Sequence, residues 1–166
     1  MAEKIKKEER SIESLAGKYL TFYLGDETYG IEILKVQEII GMMNVTHFPK
    51  APDFIRGVIN LRGKVIPVIE LRKKFNLETH DDDEKTCIIV IQLMVGDNEI
   101  RQGVIVDEVS EVLDISQEEI ELSPSFGSQG NIDFIMGVGK VSDKVVILLD
   151  VNKILSSDEL EALSNI

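Results

Sequence analysis

Asp53-Phe54-Ile55-Arg56-Gly57-Val58 returns eighty residues further on as Asp133-Phe134-Ile135-Met136-Gly137-Val138. The register then holds without a gap. Lys64-Val65 falls on Lys144-Val145, Glu70 on Asp150 and Lys73 on Lys153. Upstream, Gly30-Ile31-Glu32-Ile33-Leu34-Lys35-Val36-Gln37-Glu38-Ile39 matches Gly103-Val104-Ile105-Val106-Asp107-Glu108-Val109-Ser110-Glu111-Val112. A block match at constant offset argues for an internal duplication rather than shared strand composition.

Each copy reads as β structure. Tyr19–Leu24, a Gly25-Asp26-Glu27 turn and alternating Tyr29–Ile33 make a hairpin signal. Residues 34–39 fit a helical turn or a strand equally well. Val58–Leu61, the turn Arg62-Gly63-Lys64 and Val65–Ile69 form a second hairpin, and Pro67, lacking an N–H, belongs at an edge or bulge. Leu71–Phe75 reads as a short helix. Residues 86–95 and 103–114 are rich in Val and Ile and read as strands. A last hairpin turns at Ser142-Asp143-Lys144. Residues 44–53, 80–85 and 123–133 are loops by their Pro, Gly and polar content. The expected organisation is a mobile arm over 1–17, a duplicated β domain over 18–160 and a C-terminal helix over 156–166. That helix would carry a capping box from Ser156 to Glu159. Several short strands with regular turns suggest small barrels. Each half is near the lower size limit for folding alone, so packing the two together would stabilise both and leave a groove between them.

Composition narrows the function. The formal net charge is −12, which works against nucleic acid and anionic membrane surfaces. No apolar stretch is long enough to cross a bilayer, and Met1–Lys7 is not followed by an apolar signal core. The single cysteine, Cys87, has no partner for an internal disulfide and sits in the apolar run Cys87–Ile91, which fits a buried thiol in a reducing compartment.

Chemistry-bearing motifs are scarce. His47 and His80 are the only histidines, and neither has metal-ligand spacing. The run His80-Asp81-Asp82-Asp83-Glu84 lacks the glycine and closing carboxylate of a calcium loop and reads as a solvated turn. No phosphate loop, nucleophile elbow or zinc-helix motif is present. No catalytic residue, metal or cofactor is therefore expected. Arg62, at the tip of an apolar hairpin, is either a solvated turn arginine or a guanidinium aimed at a carboxylate. Glu38 is a suitable internal mate, with Val36 and Ile39 supplying apolar surface beside it. An apolar patch with a few placed charges suits protein recognition more than catalysis.

These stretches resemble the CheW family: Tyr29–Ile33 through Val36-Gln37-Glu38-Ile39, Gly57-Val58-Ile59-Asn60-Leu61-Arg62-Gly63, Val65–Arg72, Gly103–Asp107 and Gly137–Lys140. The resemblance covers roughly residues 18–160. It implies a mainly β fold of two SH3-like five-stranded barrel subdomains. It also implies a non-catalytic cytoplasmic adaptor, recruited to membrane-associated arrays, that couples methyl-accepting chemoreceptors to the regulatory domain of the histidine kinase CheA. By that analogy Val36, Glu38, Gly57, Asn60, Arg62, Cys87 and Ile88 map to the receptor-binding region, and Gly41, Met43 and Val45 to kinase contact. Where some relatives carry a small aliphatic residue, this chain has Cys87. The alternatives are a like adaptor for another kinase pathway, or a β-barrel ligand-binding protein or enzyme using the groove.

Overall fold

The computed structural model describes residues 12–122, 134–155 and Glu159. The first repeat supplies β1 (Gly17–Leu24), β2 (Glu27–Glu32), β3 (Val36–Gly41), β4 (Ile55–Leu61) and β5 (Lys64–Glu70), then a helical turn, Leu71–Lys74. The second supplies β6 (Cys87–Val95), β7 (Asn98–Val106), β8 (Glu108–Ile115), β9 (Ile120–Leu122), β10 (Ile135–Val141) and β11 (Lys144–Leu149). The ambiguous segment 34–39 is both things in turn: a 3-10 turn at Ile33–Lys35, then β3.

The sequence repeats are not the spatial units. One sheet has the order β8-β1-β2-β11-β10-β9 and the other β3-β6-β7-β5-β4. Each sheet therefore takes its opening hairpin from the other repeat. The joints are equivalent parallel pairings, with Leu148 opposite Gly30 in one sheet and Val68 opposite Gly103 in the other. The chain changes sheets at the turn Ile33–Lys35 and again at Asp107, between β7 and β8.

This exchange explains why β1 and β6 read as solid apolar runs rather than alternations, since both of their faces are buried. In β6, Ile88 and Val90 point into the core of the second sheet with Ile59, Ile66, Val68 and Ile105. Ile89, Ile91 and Leu93 point the other way, into the core between the sheets, where Leu20, Phe22, Leu24 and Ile31 of the first sheet meet them. In β1, Tyr19 faces the first sheet's own core with Ile115, Ile120, Val146 and Leu148. Full burial of one such side chain contributes about 1.5–3 kcal/mol. An aromatic chain crosses the joint, with ring centroids 5.9 Å apart for Phe22–Tyr29, 5.7 Å for Tyr29–Phe75 and 4.9 Å for Phe75–Phe134.

The second sheet curls until its edge strands meet. Ile40 of β3 and Leu61 of β4 pack on the same interior, and Glu38 pairs with Arg62 across the seam. The first sheet has six strands rather than the expected five. Residues 120–122 form a full strand beside β10, where the equivalent Thr46 makes only a single bridge to Val58 of β4.

Other expectations are corrected. Pro67 lies in β5, an interior strand between β4 and β7. Its partner Val58 donates its N–H to Thr46 O at 2.9 Å, away from β5, and the pairing with β7 begins only at Val68, so the missing proline N–H opens no gap. The run 103–114 is broken at Asp107. Within the segment 12–17, Ile12–Leu15 is a helical turn with Ile12 exposed and Leu15 buried, and the Tyr19 hydroxyl donates to the Leu15 carbonyl at 2.7 Å. Residues 1–11, the expected loop at 123–133 and most of the expected C-terminal helix, with the expected Ser156 cap, lie outside the described residues. Glu159 is described, is helical and pairs with Lys74 at 2.8 Å.

Candidate protein-interaction site

The turn between β4 and β5 places Arg62 and Gly63 at φ 52° and 86°, the pattern of a two-residue hairpin whose twist matches its strands. Asn60 steadies it by accepting the Gly63 N–H at 2.9 Å. An arginine in the left-handed region costs about 1 kcal/mol. Its guanidinium reaches back to Glu38 on the opposite edge strand. The Arg62 side chain is 69% exposed and that of Glu38 30%. A pair so exposed contributes about 0–1 kcal/mol, so it orients the arginine more than it holds the fold.

Behind this pair lies a basin of about 460 Å³ at the open end of the second barrel. Ile66 and Leu61 lie at its floor, and Gln37, Lys64 and Arg101 stand with the pair at its rim.

The residues expected at the receptor region separate into three groups. Glu38, Asn60 and Arg62 stand together at the barrel mouth. Val36 and Cys87 are half-buried against the core between the sheets, and they attach to different ends of β3, Val36 opposite Ile91 and Cys87 opposite Gly41. Gly57 and Ile88 are interior: Gly57 is buried under the Thr46 backbone, and Ile88 has no exposed surface. Of the residues expected at the kinase, Gly41 and Met43 are exposed, and Val45 packs against the second barrel's core. Cys87 thus adjoins Gly41 across one strand pairing. Burial pushes the Cys87 thiol up, against a hydrogen bond from the Val109 backbone. Iodoacetamide should therefore alkylate Cys87 in the folded protein at neutral pH more slowly than an unhindered peptide cysteine; an equal rate would contradict this burial.

Sequence reasoning missed two ion clusters that hold the 78–86 loop over the joint between the sheets. Arg56 bridges Asp82 and Glu70, each at 2.9 Å, and Lys73 adds a second contact to Glu70 at 3.2 Å. Asp107, at the sheet crossover, accepts from Arg72 Nε at 2.8 Å and from the Gly25 N–H at 2.7 Å, with His80 Nε2 at 3.5 Å. The acidic run is thus partly engaged: Asp82 in the first cluster, and Asp83 as acceptor for the Lys85 and Thr86 N–H groups. The available signal was divergence between the repeats, since Arg56 stands where Met136 does and Arg72 where Asn152 does. The hydrogen bond from Arg56 is the main reason the Asp82 carboxyl lies below its usual range. Arg56, Glu70, Lys73 and Asp82 of the first cluster, with His80 of the second, line an open trough of about 570 Å³, and each has a partner within the clusters.

Two interlocked β-barrels, a shallow charged mouth on the second and ion pairs that brace the fold describe a duplicated small-barrel module. The comparisons with known proteins carry this to a family. The CheW-like domain profile matches residues 18–159, so the chain belongs to the CheW family. It is 41% identical over 154 residues to the chemotaxis protein CheW of Klebsiella aerogenes, covering 93% of this chain and 90% of that one. It is 37% identical over 150 residues to that of Treponema pallidum, covering 89% and 86%. Among solved structures it is similar to the scaffolding protein TtCheW from Thermoanaerobacter tengcongensis, with a TM-score of 0.74, 34% identity and coverage of 84% and 92%.

Proposed function

We propose that this chain is the coupling adaptor of a chemotaxis system, holding the cytoplasmic tip of methyl-accepting chemoreceptors beside the regulatory domain of the kinase CheA. The family match across residues 18–159 carries the reading. The exposed Glu38–Arg62 pair supports it, because a surface arginine held in a fixed pose suits a partner's carboxylate or carbonyl. Among the described residues no helix is long and apolar enough to cross a membrane, so in this reading the receptors recruit the chain to their arrays. Coupling then means that contacts made with both partners bias the kinase according to receptor state.

Calorimetric titration against a receptor cytoplasmic fragment, and separately against the CheA regulatory domain, tests this. Saturable binding to both is expected, and binding to neither by folded protein overturns it. Arg62→Ala should keep its unfolding free energy within about 1 kcal/mol of the parent. The same variant should bind the receptor fragment about tenfold or more weakly, as befits loss of a charged contact at an interface. Unchanged affinity would remove Arg62 from the interface.

A further inference from the structure

The basin at the mouth of the second barrel has a charge that the fold does not require. Its rim carries Arg62, Lys64 and Arg101 against the single carboxylate of Glu38, in a chain whose net charge is −12. Arg62 is engaged by Glu38. Among the described residues Lys64 and Arg101 have no ion-pair partner.

The duplication supplies an internal control. At the mouth of the first barrel, Glu111 stands for Glu38 and Lys144 for Lys64, and the two lie 3.9 Å apart. Ser142 stands for Arg62 and Thr28 for Arg101. Ser142 adopts the same turn geometry as Arg62, with φ 56°. Thr28 occupies the same strand position as Arg101, each two residues before the equivalent Gly30 and Gly103, although Thr28 is already paired with Val146 in its parallel joint. The same barrel mouth is thus built once with balanced charge and once with two extra cations. Hairpin geometry and strand register cannot account for the difference.

Resting on the adaptor reading above, we propose that this basin seats an acidic segment of the chemoreceptor tip, with Lys64 and Arg101 pairing with its carboxylates. The chemistry favours a short protein segment. The floor is apolar, so an aliphatic side chain next to an Asp or Glu fits it, and the volume admits a few side chains rather than a whole element. The field of a chain with net charge −12 repels extended polyanions, and only a locally docked carboxylate gains from the two basin cations that have no ion-pair partner among the described residues. Both cations sit on strands of the barrel, Lys64 opening β5 and Arg101 within β7, so they are held without cost to loop order. Rim charges of this kind act on association rate and salt dependence as well as affinity.

The test is titration of the intact protein with a receptor cytoplasmic fragment, and separately with the CheA regulatory domain, at low and high salt. The variants are K64E/R101E, the neutral K64Q/R101Q, and K144E at the first barrel's equivalent position. Circular dichroism confirms each fold. The parent should bind the receptor fragment more weakly as salt rises. The neutral variant should lose about tenfold at low salt and most of the salt dependence, and the reversed variant should lose more. K144E should bind the receptor like the parent. Equal affinity and salt slope for parent and K64Q/R101Q overturn the basin as the seat while leaving the adaptor reading standing. A loss confined to the kinase domain overturns the receptor as occupant. A parent that binds neither partner overturns the adaptor reading itself and the seat with it.

Discussion

Gly57→Val is expected to destabilise the protein by about 3 kcal/mol or more, the range reserved for steric and backbone conflicts inside a fold. Gly57 has φ +150°, a conformation that side chains rarely adopt. It sits at the bulge where the β4–β5 register shifts between Ile55 and Gly57. A Cβ there would fall onto the Thr46 carbonyl oxygen and lie 2.8 Å from both the Thr46 carbonyl carbon and the Val45 Cγ1. The backbone of residue 46 cannot withdraw cheaply, because Thr46 exchanges two hydrogen bonds with Val58 at 2.8 and 2.9 Å. For a chain of this length 3 kcal/mol is a fall of about 6–12 °C in Tm. Thermal and urea denaturation measure it, and a loss below about 1 kcal/mol would show that segment 45–46 moves aside. The consequence for function is direct. Weak receptor binding by a Gly57 variant would report a displaced 45–46 segment and not a lost contact. The second repeat makes the same demand at Gly137, whose Cβ would lie 2.6 Å from the Glu121 carbonyl oxygen.

Asp107→Ala should cost about 2–4 kcal/mol, chiefly because it leaves the partly buried Arg72 charge without its carboxylate; the exposed Gly25 N–H also loses its acceptor. Asp107→Asn should cost less, because it keeps an acceptor. The same site shapes the acid limb of stability. Burial raises the Asp107 carboxyl, but bonds from Arg72 and from the Gly25 N–H more than offset it, and its net shift is downward. Burial also raises Glu70, and Arg56 and Lys73 reverse it. With Asp82, these depressed carboxyls give stability that is present above the unfolded carboxylate range, roughly pH 4, and lost as pH falls through their folded values. His80 has the opposite sign. Its hydrogen bond with the Asp81 carbonyl, then the Asp107 charge, raises its pKa. Its contribution is full below about pH 6.5 and disappears as pH rises through the folded value. Urea midpoints across pH 3–9 should show Asp107→Asn flattening the acid limb and His80→Gln removing the shallow decline that begins above about pH 6.5. An unchanged acid limb in Asp107→Asn would mean that the other carboxylates carry it.

The duplication, the hairpins and the Glu38–Arg62 pairing were legible because each is written in local pattern: block offset, turn chemistry and a charge at an apolar tip. Strand exchange was not. A hairpin that packs on its own repeat and one that packs on the other bury the same residues in the same alternation, so sequence similarity between copies is blind to the choice. The burial of Ile88 was hidden for a related reason. In a strand buried on both faces, no polar alternation tells an interior position from an accessible one. Pro67 looked like an edge residue because the rule concerns donors, and only the neighbouring Val58–Thr46 bond shows that no donor was needed there. The free cations of the basin escaped notice because Arg101 and Lys64 lie far apart in sequence and meet only when the sheet curls. Asp107 carried a usable signal, an acid inside a Val- and Ile-rich run, which marks the place where the chain changes sheets.

Because each barrel borrows its first hairpin from the other repeat, the chain has the architecture of a swapped homodimer whose two protomers have been joined end to end. A nick in the exposed linker at 78–85 would leave two fragments still clasped through both parallel joints, β2 to β11 and β5 to β7. Neither fragment holds the strands for a complete barrel of its own.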